Sequence, residues 1–187
     1  MKIEISSETI ERVNKMLEGV PKGAGKAYSN AINRGLSKAK TTALKKVRSV
    51  YAVTNSAINE ATNTRVQKAS AGNIAGYVSF AGTKIPLYKF KVTPTAPGTG
   101  KKVVAAVKKG GGTAFEDAFI AQMRSGHIGV FERTETKRLP IEEKMGLAAA
   151  QMVENSVVID EVQKEAQKTV DERLEHEIDR ILSGYGG

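Results

Sequence analysis

Near Val66 the spacing of apolar residues changes period, and this shift restricts the fold more than any motif does. Before it, Tyr28, Ile32, Leu36, Ala39, Ala43, Val47 and Val50 recur three and four residues apart. That spacing predicts an amphipathic helix from the Pro21-Lys22-Gly23 break to about Tyr51, with its lysines on the opposite face. Beyond Val66, NIAGYVSFAG and KIPLYKFKVTP alternate apolar and polar residues and break at glycine and proline, as strands do. From about Gly146 helical spacing returns through Ala149, Met152, Val153, Val157, Val162, Ala166, Val170, Leu174, Ile178 and Ile181. A phase shift near Ser156 leaves one kinked helix or two. Helices, then strands, then helices predict an α+β fold. The expected architecture is a mostly antiparallel sheet of about four strands flanked by a long basic N-terminal helix and an acidic C-terminal helix. One domain is expected over 1–187, helical over 1–64, sheet over 65–135 and helical again over 146–183.

Local signals fill in the smaller pieces. SSETIERVNKMLEG reads as a short helix: Ser6 or Ser7 can cap it, Ile10, Val13 and Leu17 share a face, and Gly19 stops it. Gly35 weakens the long helix by about 1 kcal/mol relative to alanine without breaking it. VTNSAINEATNT offers Thr54 as the cap of another short helix. TPTAPGTG is a turn-rich loop, KKVVAAVKKGGG a basic, valine-rich strand closed by glycines, and GHIGVFER a further strand. TAFEDAFIAQM fits either a strand or a helix. The closing SGYGG reads as a frayed end.

Charge is unevenly distributed within the net +9. No acid occurs from Gly19 to Asn59, whereas Lys22, Lys26, Arg34, Lys38, Lys40, Lys45, Lys46 and Arg48 do. From Gln151 onward the balance reverses, with nine acids against Lys164, Lys168, Arg173 and Arg180. Two readings stand: solvated helix faces, or self-association in which the acidic helix of one copy approaches the basic helix of the next. The basic face would also bind a polyanion in a salt-dependent manner. No helix-turn-helix or finger pattern accompanies it, so non-specific DNA contact is the most it predicts.

Catalytic chemistry finds little material. With no cysteine there are no disulfides, thiolate metal sites or cysteine nucleophiles, and His127 and His176 are the only histidines. Aromatics are too sparse for a stacking platform. APGTGKKV lacks the first glycine and the hydroxyl residue of a phosphate-binding loop, having Thr95 and Lys102 there, and GAGKAY follows no strand. His127 and Glu132, five apart on a strand, would face opposite sides. The expectation is no enzyme, no cofactor and no metal; a small hydrolase using His127 is the weakest alternative. The start MKIEISSETI has no apolar run of a signal peptide, and no window suits a membrane span, so folding in a cytoplasm and no membrane partner are expected.

The densest stretch is GHIGVFERTETKRLPIEEKMG, residues 126–146. Gly126 and Gly129 flank a strand and would admit a neighbour's backbone. Val130 and Phe131 should point to opposite faces, one into the core and one toward a neighbouring subunit. Arg133, Lys137 and Arg138 would charge the rim of that contact. Pro140 and Ile141 should turn the chain into a helix whose positive end Glu142 and Glu143 would favour. These residues make a candidate interface: Gly126, His127, Gly129, Val130, Phe131, Arg133, Arg138, Pro140 and Ile141.

The order Thr113-Ala114-Phe115, Phe119 to Met123, Gly126 to Arg133 and Arg138 to Gly146 resembles the phage minor tail protein Z family, over roughly residues 74–152. After Gly146 this chain has Leu147-Ala148 where the family commonly has a proline and a small residue. The resemblance implies a structural virion protein with no catalytic residues, acting in tail completion or head–tail joining at the neck. It further implies a ring, by symmetry a hexamer, meeting the tail tube or tail terminator and the head-completion or connector proteins. Assembly in the host bacterial cytoplasm follows from the same resemblance.

Overall fold

Ser6 accepts a hydrogen bond from the Thr9 backbone N–H at 3.2 Å and so opens α1 (Ser7–Met16). The same device recurs at Thr54, whose hydroxyl accepts from Ala57 N–H at 3.3 Å to open α3 (Asn55–Ala61). Both satisfy one of the donors that a helix start leaves unpaired. Between them runs α2 (Gly23–Val50). These come from a computed structural model describing residues 2, 3 and 5–184, with Lys2 described by its backbone alone. Most of the frayed end expected at SGYGG, residues 185–187, lies outside the described residues.

The architecture is α+β. Five helices and eleven short strands are described, and the strands form four small sheets in place of one sheet of about four. The chain divides into two compact units, one of residues 1–43, 64–80 and 159–187, the other of residues 44–63 and 81–158.

The first unit holds α1, α2 up to Ala43 and most of α5 (Ser156–Leu182). It also holds a sheet in which β1 (Lys2–Ile3) pairs antiparallel with β3 (Gly76–Gly82), itself beside β2 (Thr62–Gln67). Val13, Ile32, Leu36, Val78, Val170, Leu174 and Ile178 are all but inaccessible to solvent. Tyr28 ties α2 to α1 by donating to the Ile10 carbonyl at 2.8 Å, and its burial raises its pKa above the usual 10. Asn33 holds the chain at Ala69 from both sides, donating to its carbonyl at 3.0 Å and accepting from its N–H at 2.9 Å. Gly35 has a packing reason: a Cβ there would stand 2.4 Å from Val170 Cγ2 and 3.2 Å from the Ala166 carbonyl. Its absent side chain lets α5 lie close against α2.

The second unit is built on strands. β5 (Lys91–Thr93), β6 (Val103–Ala106) and β7 (Thr113–Phe115) form one antiparallel sheet in the order β5-β6-β7. β8 (Ala118–Gln122), β9 (Ile128–Arg133) and β10 (Ile141–Glu143) form another in the order β10-β9-β8. β4 (Lys84–Pro86) pairs with β11 (Met145–Ala148). Tyr51, Ile58, Ile85, Val103, Val130 and Met152 fill its core.

The structure resolves two open readings and corrects the expected helix start after Pro140. TAFEDAFIAQM becomes the strands β7 and β8. Ile141–Glu143 is strand, not a helix start, because Ile141 pairs with Arg133 and Glu143 with Phe131. The C-terminal helical region begins after β11, as α4 (Ala149–Val153) and then α5. The phase shift near Ser156 therefore marks two helices.

Candidate docking faces of the sheet-rich unit

A five-residue connection joins β8 to β9. Gly126 N–H donates to the Met123 carbonyl at 2.8 Å, Met123 N–H donates to the His127 carbonyl at 2.7 Å, and Gly126 has φ +87. That is a tight turn followed by a residue in the left-handed region, which glycine adopts without steric cost. Gly126 is thus required by its own hairpin.

The hairpin fixes which side chains share a face. Phe119 lies opposite Phe131, Ile120 opposite Val130, and Ala121 opposite Gly129. Alternation then places Ala118, Ile120 and Val130 on the inner face, where all three are buried. Phe119, Phe131, Arg133, Ile141 and Glu143 share the outer face. Val130 and Phe131 do point to opposite sides, but Phe131 is only 6% exposed. Its ring meets Phe119 at 6.4 Å between centroids and the edge of His127 at 6.3 Å. The Arg133 guanidinium stands 4.8 Å from the Phe119 ring centroid, a cation–π contact worth about 0.5–1 kcal/mol at an exposed site.

The space over Gly129, expected to receive a neighbour's backbone, is filled from within the chain. A Cβ there would meet Glu143 Oε1 at 2.6 Å and the Phe131 ring at 3.0 Å. Glu143 takes His127 as its partner, Nε2 to Oε1 at 2.8 Å, while Glu132 pairs with Lys144. His127 and Glu132 therefore form no acid/base pair. Arg138 and Pro140 lie in the exposed loop returning to β10, where Thr134 donates to the Pro140 carbonyl and Leu139 is 64% exposed. Beside this face, Phe119, Arg133 and the loop from Pro94 to Lys102 line a cleft of about 410 Å³.

The basic helix contributes to both units. Lys22, Lys26, Arg34, Lys38 and Lys40 belong to the first unit, Lys45, Lys46 and Arg48 to the second. Lys38 pairs with Glu165 of α5 at 3.1 Å, and Arg48 donates to Asn55 at 2.6 Å. The hydrogen bond from Lys38 holds the Glu165 carboxyl below its ordinary pKa. Glu175 meets Arg12, Glu177 meets Arg173 and Asn30, and Glu172 meets Lys168. Four of the nine acids from Gln151 onward thus have a cation within their own chain.

Most of the net charge lies in the second unit. The second unit has fifteen lysines and arginines against eight acids, hence +7, and the first has fourteen against twelve, hence +2. The sequence reading missed this because the second unit is assembled from two separated segments. It also passed over Phe119 and Glu143 as partners of the 126–133 strand, which only the strand register brings together.

Among the described residues no group of three or more His, Asp or Glu side chains is placed to hold a metal. No helix among them is long and apolar enough to cross a membrane. No curated protein and no solved structure matches the chain. A family model does: that of prophage minor tail protein Z (GPZ) matches residues 8–185, so the chain belongs to this family of structural proteins of the phage tail.

Proposed function

We propose that the protein closes into a ring at the head-proximal end of the tail, six-fold to match a tail tube. There it would act in tail completion or head–tail joining, between the tube or its terminator and the head-completion or connector proteins. Family membership across nearly the whole chain carries the reading. The outer face of the β8–β9–β10 sheet supports it, because Phe119, Arg133 and Ile141 stand at or near solvent beside an exposed Leu139. A neighbour would meet these side chains before the covered Phe131. A contact between two different faces, repeated about an axis, closes a ring when the rotation permits.

Electron microscopy of particles carrying a small tag at Gly187 tests the position. A single labelled ring at the head-proximal end is the expected result; label along the tube, at the distal tip or absent from particles overturns it. The face is tested by Phe119→Asp with Arg133→Glu. Folded variant protein should be missing from particles, and normal incorporation would remove that face from the interface.

A further inference from the structure

The strand of the KKVVAAVKK stretch carries a face that the interface around residues 126–141 does not include. Val103 and Ala105 are buried, so alternation turns Lys102, Val104 and Ala106 to the opposite side of β6, and the exposed Lys108 follows just beyond the bend at Val107. The register extends this surface: Lys91 lies opposite Ala106, Thr93 opposite Val104, and Ala114 opposite Val104 on the other edge. Lys91, Thr93, Val104 and Lys108 are exposed. The result is a small sheet face of short side chains that carries Lys91 and is bordered by the exposed Lys101, Lys102, Lys108 and Lys109. Glu116 is the acid beside it and is paired with Lys102. Among the described residues neither Lys91 nor Lys108 has an ion-pair partner.

We infer that this outer face of the β5–β6–β7 sheet contacts the phosphate backbone of duplex nucleic acid, without reading its sequence. From Lys102 to Ala106 the extended chain covers about 13 Å, over which a duplex presents on the order of eight phosphate charges. Lysine offers a compact, rotatable charge that suits a phosphate in many orientations. The outward positions of β5, β6 and β7 (Lys91, Thr93, Val104, Ala106 and Ala114) include no aromatic ring to stack on a base and no arginine fork or amide to read a base edge. A second copy of this chain is the poorer partner, because Glu165, Glu172, Glu175 and Glu177 of its acidic helix already have cations of their own. The surface also differs from the α2 cations, and the inference does not depend on ring formation.

The test uses the purified full chain and a mixed-sequence DNA duplex of about 25 base pairs, titrated by fluorescence anisotropy from about 25 to 200 mM salt. Binding that falls linearly on a logarithmic salt scale is expected. Lys91→Glu with Lys108→Glu should weaken binding about tenfold or more and reduce the salt slope by about two. Lys40→Glu with Lys45→Glu, the same charge change on α2, should alter affinity by no more than about threefold. Lys91→Arg with Lys108→Arg should retain binding, and circular dichroism should show all variants folded. Absence of binding by the unmodified chain at the lowest salt overturns the inference. So does an equal loss in both Glu variants, which would mean net charge alone. Polyglutamate displacing the duplex at equal charge concentration would overturn it in favour of an acidic protein partner.

Discussion

The two units differ in charge balance more than in how they pair charges. In the helical unit carboxylates and cations meet one another: Arg12 with Glu175, Lys38 with Glu165, Arg173 with Glu177. In the sheet-rich unit Lys91, Lys101, Lys108, Lys109, Lys137 and Arg138 are left at the surface, and the net charge of +7 resides there. Exposed ion pairs contribute little to stability, so the difference bears on association more than on folding. The helical unit also leaves Lys22, Arg34 and Lys40 exposed, but its cations and acids nearly cancel, whereas the sheet-rich unit carries an excess that an anionic partner would meet.

Stability measurements sharpen the contrast, beginning with the helical unit's core. Leu174→Ala removes a side chain that is 1% exposed and should cost about 2–5 kcal/mol in urea unfolding. Gly35→Ala should cost about 1–3 kcal/mol despite alanine's better helix propensity, because its Cβ would collide with Val170. Adding Val170→Ala should return part of that loss, and a purely additive double variant would show that the close approach of α2 and α5 is not its cause. Thr54→Ala should cost about 1 kcal/mol through the lost cap on α3, in the sheet-rich unit. The smallest effect tests the internal pairing itself. Glu165 is held below its ordinary pKa by Lys38, so its stabilising contribution is full above the unfolded value and fades as pH falls through the lowered folded value. Lys38→Met should therefore move the acid-unfolding midpoint slightly upward and leave stability near pH 10 little changed beyond the lost pair. An unmoved midpoint would break the contrast from the helical side.

Most of the helical unit was legible in the sequence. Ile32, Leu36, Ala39 and Ala43 declare one face of α2 by spacing, and Ser6 and Thr54 declare the starts of α1 and α3. The strand at Ile128–Arg133 was equally plain from its glycines and alternating apolar residues. What followed was not. Pro140, Ile141, Glu142 and Glu143 have the local chemistry of a helix start, yet pairing with β9 draws them into a strand. Met145–Ala148, rich in helix formers, is likewise held extended by β4. Such long-range pairing overrides local preference and leaves no trace in spacing. The outer-face partnership of Phe119, Phe131, His127 and Glu143 depends on that same register, which is why a sequence reading could mark the stretch but not its contacts.

The lysines flanking β6 have a consequence before any partner is met. VVAAV, residues 103–107, is a run of high strand propensity without charge, of the kind that pairs with copies of itself when a chain is newly made or partly open. Lys101 and Lys102 precede it, and Lys108 and Lys109 follow. Bracketing charges of one sign make such stacking repulsive, so they act as gatekeepers of solubility. Replacing these lysines by alanine would remove the guard along with the contact, whereas replacing them by glutamate keeps charge beside the strand and should leave the protein soluble.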